Sequence, residues 1–179
     1  MTGSIILVGR TADLTTRAGK SVLNTRPAAP DDVQILAELY FSAYQASNAS
    51  QVGDPVSSTE EAMEVLQDLF DGKFGPFLAE ASPVVVDEDG TIVAAALVVA
   101  RRTGEDMPED PYLFELFTHT SWRRRGLAEK LVRASASALE QAGHERMSLR
   151  IADDNSTAMA LYLTLNFNRW QAAAESDDV

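Results

Sequence analysis

Between an apolar stretch at residues 112–118 and an amphipathic stretch beyond it stands the run Trp122-Arg123-Arg124-Arg125-Gly126-Leu127-Ala128. Leu127, Leu131, Ala134, Ala138 and Leu139 recur at helical spacing, and Gly143 supplies a stop, so a helix is expected from about residue 123 to 142. Three arginines at its start oppose the positive end of the helix dipole, where folding alone would favour Asp, Glu, Ser or Thr. The run therefore asks for an anion. Open backbone N–H groups, a glycine that lets a ligand approach the main chain, and guanidinium forks together suit a phosphate or pyrophosphate. The plain alternative is a solvated basic turn that pairs with nearby acids.

The junction also constrains topology. The apolar run 112–118, the helix and a further apolar run at 147–152 form a strand-helix-strand unit. Upstream, 77–86 (interrupted by Pro83) and 91–102 flank Asp87-Glu88-Asp89-Gly90, the signature of an antiparallel hairpin. Residues 21–26 read as a strand ended by Pro27, and Pro30-Asp31-Asp32 opens a helix that buries Val33, Leu36, Ala37, Tyr40 and Tyr44. A second helix starts at 57–61 with Met63, Leu66 and Phe70 on one face, and Gly72 ends it. After 147–152, Asp153-Asp154-Asn155-Ser156 offers N-caps for a last helix that buries Ala158, Leu161, Tyr162 and Leu165. Asn166 suits the left-handed turn after it. The expected class is α+β or mixed α/β: one central mixed sheet, an antiparallel meander followed by the strand-helix-strand unit, and helices on both faces.

Residues 1–20 are expected to be an extension, either a disordered leader or an added strand, and the leader is preferred. Residues 21–170 form the domain, and 171–179 an acidic tail that frays. A length of 179 residues suits one domain. There is no cysteine, which excludes a disulfide scaffold, thiolate metal sites and a cysteine nucleophile. The two histidines are far apart and no metal-ligand cluster is present, so no metal is expected. The formal net charge of −12 disfavours nucleic-acid and anionic-membrane partners. Ile5-Ile6-Leu7-Val8 is too short for a signal or a membrane span, so the default expectation is a soluble cytoplasmic protein.

Two motifs carry a resemblance. Arg123, Gly126 and Ala128 fit the pattern Arg or Gln, two residues, Gly, one residue, Gly or Ala, of the GNAT superfamily of acyl-CoA-dependent N-acetyltransferases. Asn155, Ala158, Leu161-Tyr162 and Leu165-Asn166-Phe167 resemble its second motif, with Asn166 where the family has Gly. Thr120 stands where the family usually has a proline, and the opening from Arg26-Pro27 to Asp32 also resembles the family's first strand and helix. The resemblance covers about residues 21–170. It implies acetyl-CoA as co-substrate, with the main chain of Arg123, Arg124, Arg125, Gly126, Leu127 and Ala128 on the pyrophosphate. Arg124 and Arg125 would add charge. It also implies a slot between two splayed parallel strands, 112–118 and 147–152. Leu116, Phe117 and Thr118 would line that slot, with main-chain groups of Leu116 and Thr118 on the pantetheine arm, and Asn155 would contact the arm. Asn155 is equally a plain helix N-cap.

By the same resemblance Tyr162 is the general acid that returns a proton to the departing thiolate, and the acceptor is a primary amine of a small molecule or protein. The base is left open. Glu115, an acid among Leu113, Phe114, Leu116 and Phe117, is the first candidate because burial favours a proton-accepting role. An exposed strand face is its bland alternative, His119 is the second candidate and water the third. Direct attack in a ternary complex needs no covalent intermediate. The acidic residues Glu105, Asp106, Glu109 and Asp110, with the polar connection 47–57, suggest a rim for a cationic acceptor, the alternative being a solvated loop. A homodimer is compatible with the reading. The competing class is a non-catalytic acyl-CoA-binding module used as a sensor or in protein interaction, and beyond it an anion-binding domain unrelated to CoA.

Overall fold

The computed structural model describes residues 3–15, 24–45, 55–101 and 107–171. Its elements in chain order are β1 (Ser4–Arg10), α1 (Thr11–Thr15), β2 (Asn24–Pro27), α2 (Val33–Gln45), α3 (Thr59–Phe70), β3 (Pro83–Val86), β4 (Ile92–Val99), β5 (Tyr112–Thr118), α4 (Leu127–Gln141), β6 (Arg146–Ala152), α5 (Ser156–Thr164) and β7 (Asn168–Arg169). They build one seven-stranded sheet in the order β2-β3-β4-β5-β6-β1-β7. Every neighbouring pair is antiparallel except β5 and β6, which the crossover helix α4 joins in parallel.

Helices cover both faces of the sheet. On one, Leu14 of α1, Leu127, Leu131 and Leu139 of α4 and Ala158 and Tyr162 of α5 pack with Leu113, Leu116, Met147, Leu149 and Ile151. On the other, Leu36 and Tyr40 of α2 and Leu66 and Leu69 of α3 pack with Val84, Leu97, Tyr112 and Phe117. All eight residues of β4 are buried because it lies under both layers. Asp32 joins the sheet to α2: Arg26 donates to its two oxygens at 2.7 and 2.8 Å, and the Ala29 N–H donates at 2.9 Å. The guanidinium holds the Asp32 carboxyl below its ordinary range.

Three expectations change. First, of the two alternatives for the extension, residues 4–10 take the less preferred one, a strand: β1 pairs with β6 over seven residues, from Ser4↔Ala152 to Arg10↔Arg146, and its Leu7 is fully buried. A Cβ on Gly9 would lie 2.8 Å from the Phe167 ring, so the strand packs too closely there for any larger residue. Second, the strand expected from residue 77 begins at Pro83. Ala79–Ala81 forms a 3-10 turn, and the Ser82 hydroxyl takes the Val98 N–H at 2.9 Å in place of a strand carbonyl. Third, the helix expected from residue 123 begins at Leu127. The strand expected at 21–26 is described only from Asn24, and its first three residues, like most of the acidic tail, lie outside the described residues.

If β1 belongs to the cooperative unit, Leu7→Ala costs about 2–5 kcal/mol, as for other fully buried leucines. Ile35→Ala, at a position 47% exposed, changes stability by about 0.5 kcal/mol or less. Urea denaturation measures both, and equal midpoints for the two variants would remove β1 from the core.

Candidate active site

The parallel ladder between β5 and β6 has only two rungs, Tyr112↔Ser148 and Leu113↔Leu149. Both strands run on, to Thr118 and Ala152, without pairing again. On its other side β5 stays paired with β4 as far as Ala94↔Thr118, and the His119 N–H donates to the Val93 carbonyl at 2.8 Å. Main-chain groups alternate along a strand, so those of Phe117 turn with His119 towards β4. Those of Leu116 and Thr118 turn towards the open edge. Phe117 is therefore set apart from the two residues it was grouped with: its ring, 1% exposed, packs on Tyr40 in the α2 layer, and its main chain serves β4.

Past this edge, Thr120–Trp122 makes one 3-10 turn, and the chain enters α4 through Arg124 and Gly126, both in the left-handed region at φ 63° and 73°. Left-handed residues cannot continue a right-handed helix, which is why α4 starts four residues later than its arginines suggest. At Arg124 this conformation costs about 1–2 kcal/mol. Gly126 is the N-cap and offers no side chain, and the first intrahelical bond runs from Lys130 N–H to its carbonyl at 3.1 Å. The N–H groups of Leu127, Ala128 and Glu129 thus have no acceptor within the helix. A Cβ on Gly126 would meet nothing within 4 Å, so the space over this turn is open. Arg124 and Arg125 are exposed, and Arg125 lies over the Trp122 ring at 4.6 Å. Arg123 differs from both. Its Nη2 donates to the Ala43 carbonyl in the last turn of α2 at 2.8 Å, a cation at a helix C-terminus.

Tyr162 of α5 is fully buried, edge-on to Phe167 at 5.3 Å, in the same apolar layer as Leu116 and Ile151, which flank the gap. Its hydroxyl has no hydrogen-bond partner among the described residues, and burial pushes the phenol well above its ordinary pKa. Asn155 caps α5, its Oδ1 accepting from the Ala158 N–H at 3.0 Å.

Glu115 lies on the opposite face. Leu97 pairs with Glu115 and Val98 with Leu113, which leaves Phe114 as the extra residue of a β-bulge. The bulge puts both Phe114 and Glu115 on the α2 side. Glu115 is 1% exposed, so its setting is not an exposed strand face. The Tyr40 hydroxyl donates to Oε1 at 2.6 Å and the Tyr44 hydroxyl to Oε2 at 3.2 Å, with the two rings stacked at 5.3 Å. Sequence reasoning placed Tyr40 and Tyr44 only in a buried stripe. Two phenols four residues apart on the helix facing an isolated strand acid were the available signal.

His119 is exposed, and its Nδ1 accepts from the Ser121 N–H at 3.1 Å, so it caps a turn. Of the acidic rim, Glu109 pairs with Arg101 and Asp110 with Arg146, each at 3.4 Å. Glu105, Asp106 and residues 47–54 lie outside the described residues. Among the described residues no helix is long and apolar enough to cross a membrane.

A two-rung parallel pair and a helix start without a side-chain cap thus lie side by side in a mixed seven-stranded sheet. The sequence matches the acetyltransferase (GNAT) family over residues 37–167, and the chain belongs to that family. Similar solved structures include a GCN5-related N-acetyltransferase from Sphaerobacter thermophilus, with TM-score 0.64, 15% identity and coverage of 95% of this chain and 49% of that one. A tandem GNAT protein from the clavulanic acid biosynthesis pathway gives TM-score 0.64, 13% identity, and 95% and 51% coverage. The aminoglycoside N-acetyltransferase AAC(6')-Iy in complex with CoA gives TM-score 0.61, 13% identity, and 90% and 99% coverage. The chain thus spans about half the length of the first two. No curated protein sequence matches it.

Arg123→Ala should loosen the last turn of α2. A charge-assisted hydrogen bond of this kind contributes about 1.5 kcal/mol or more. Amide hydrogen exchange is expected to speed up at residues 42–45 while α3 is unchanged, and unchanged rates at 42–45 would show that the contact does not hold the helix end.

Proposed function

We propose that this chain transfers the acetyl group of acetyl-CoA to a primary amine, by direct attack in a ternary complex. The observation that carries the reading is the Tyr162 hydroxyl: fully buried, without a hydrogen-bond partner among the described residues, and in the layer that borders the gap between β5 and β6. A buried polar group left unpaired is rare and needs a reason, and a partner that arrives with the substrate is one.

The residues fit the co-substrate. Acetyl-CoA, when bound, supplies an activated thioester and an anionic pyrophosphate. The uncapped N–H groups of Leu127, Ala128 and Glu129 and the open space over Gly126 suit that pyrophosphate, with Arg124 and Arg125 adding charge. Leu116 and Thr118 turn main-chain donors and acceptors to the open edge, where the amides of the pantetheine arm can replace the missing β6 rungs. Asn155 keeps its capping bond and stands at the far side of the gap, at the end of β6.

Proton handling falls to two groups on opposite faces. Glu115 accepts a proton from the acceptor ammonium, with Tyr44, the more exposed of its two phenol partners, as the path to the surface. Tyr40 and Tyr44 orient the carboxylate, so they are positioning residues. Tyr162 holds a proton at Oη that a departing thiolate takes. Desolvation keeps that phenol protonated before the thiolate leaves.

Isothermal titration with acetyl-CoA, followed by thiol release against a panel of amines, tests the reading. Tyr162→Phe is expected to lower kcat by about 100-fold, in the range of general-acid contributions, with acetyl-CoA affinity retained. A fully active Tyr162→Phe enzyme would move the acid elsewhere. Gly126→Asp should abolish binding, since it adds bulk and negative charge where the pyrophosphate sits. Absence of binding by the native chain would reject the reading, and binding without turnover on any amine would favour a non-catalytic acyl-CoA-binding module.

A further inference from the structure

Among the described residues no hydrogen bond fixes the Tyr162 hydroxyl, so the place of its ring depends on what the ring touches. The end of α5 decides the first of those contacts. Leu165 is the C-cap and Asn166 follows in the left-handed region at φ 65°. The chain doubles back there, so that the Phe167 N–H donates to the Tyr162 carbonyl at 2.9 Å and the Asn166 N–H to the Leu163 carbonyl at 3.1 Å. This is the Schellman arrangement, in which the residue after the left-handed one packs on the residue whose carbonyl it takes. Here the packing is aromatic: the Phe167 and Tyr162 rings stand 5.3 Å apart, inclined at 72°.

Phe167 is held in turn by the N-terminal strand. The β1–β7 register, Leu7↔Arg169 and Val8↔Asn168, extended by one step sets Phe167 opposite Gly9. On its other side Gly9 pairs with Met147, and Met147 and Leu7 both belong to the α4 layer, so position 9 faces that layer as well. The Phe167 Cζ, Cε1 and Cε2 atoms lie 2.8, 2.9 and 2.9 Å from where a Cβ on Gly9 would stand. The far end of the ring therefore rests on the bare backbone of β1. Phe167 is only 1% exposed, so a methyl group at position 9 could displace the ring only into packed side chains, Tyr162 among them.

We infer that Gly9 and Phe167 are positioning residues for Tyr162: the glycine makes room for the Phe167 ring, and that ring holds the Tyr162 ring in the layer beside the gap. The strand at residues 4–10 thereby serves the site as well as the sheet. The catalytic consequence rests on the acetyl-transfer reading, in which Tyr162 is the acid, whereas the seat of the ring rests on packing alone. Misplacing a reacting group by about 1 Å can cost about 100-fold in rate, so a small displacement of the phenol is measurable.

The test is a double-substitution cycle. Phe167→Leu is expected to lower kcat about tenfold or more, with acetyl-CoA affinity by isothermal titration unchanged. In the Tyr162→Phe chain the same substitution should change kcat by less than about twofold, because its effect runs through the phenol. Equal losses in the two backgrounds would overturn the inference. Gly9→Ala is expected to lower both kcat and the urea midpoint. Adding Phe167→Leu makes room for the methyl group and should restore the midpoint while kcat stays low. A kcat that returns together with the midpoint would reduce Gly9 to a structural role and sink the proposal. NMR of tyrosine labelled with ¹³C at Cζ reads the seat without turnover, and the signal missing from Tyr162→Phe belongs to Tyr162. Gly9→Ala, which keeps the Phe167 ring, should move that signal more than those of the other three tyrosines. Should Gly9→Ala alone not fold, Phe167→Leu takes its place in this measurement and the cycle stands as it is. A fully active Tyr162→Phe enzyme would reject the acid and leave the NMR result to decide the seat. An unmoved Tyr162 signal would overturn the inference whatever the kinetics show.

Discussion

The single extra residue at Phe114 governs how the two halves of the sheet meet. Leu113 makes the last rung with β6, and the bulge follows at once. A bulge bends its strand and increases the local twist, which carries β5 away from a parallel neighbour that is held to β1 over its whole length. The same insertion resets alternation, so that Glu115 joins the α2 layer and Leu116 the α4 layer. One local irregularity thus opens the edge at Leu116 and Thr118 and seats a carboxylate beside it. Because α4 leaves from the open end of β5, its unsatisfied N–H groups come to the same mouth without any further device.

The last turn of α2 ties these parts together. Tyr40 and Tyr44 hold Glu115 from above, and Ala43, between them, accepts the Arg123 guanidinium from the loop that leads into α4. Burying a carboxylate is costly unless its oxygens are bonded, so Glu115 fixes where the two phenols must sit. Arg123 then fixes the helix end that carries them. The three consecutive arginines consequently divide their work: one is a structural strut to the end of α2, and two remain at the loop surface, with Arg125 steadied on Trp122.

Much of this was legible in the sequence where one signal dominated. The Asp87–Gly90 turn, the stripe of α4 and the left-handed Asn166, observed at φ 65°, each follow from local chemistry. The mixed sheet follows from the order of those elements. The start of α4 was misjudged because helical periodicity continues through residues whose φ angles are left-handed, and φ at an arginine is not written in its side chain. The role of residues 4–10 was hidden for a different reason. A short apolar run is only a strand if a partner edge awaits it, and that edge, β6, lies more than a hundred residues on. Tyr40 and Tyr44 fell in between: their spacing was seen, but their partner depended on a bulge that no sequence pattern announces.

On the proposed function, the sheet itself becomes the divider between co-substrate and acceptor. The pyrophosphate turn and Tyr162 belong to the α4 and α5 side, whereas Glu115, held by Tyr40 and Tyr44, belongs to the α2 side. Direct attack in a ternary complex requires the two reactants to meet in the gap. That demand explains why base and acid are placed on opposite faces. Each then handles a proton belonging to the reactant on its own side, and neither proton has to cross the sheet. It also explains why the parallel ladder stops after two rungs: a continued ladder would keep the reactants apart, and a wider opening would admit water to a thioester.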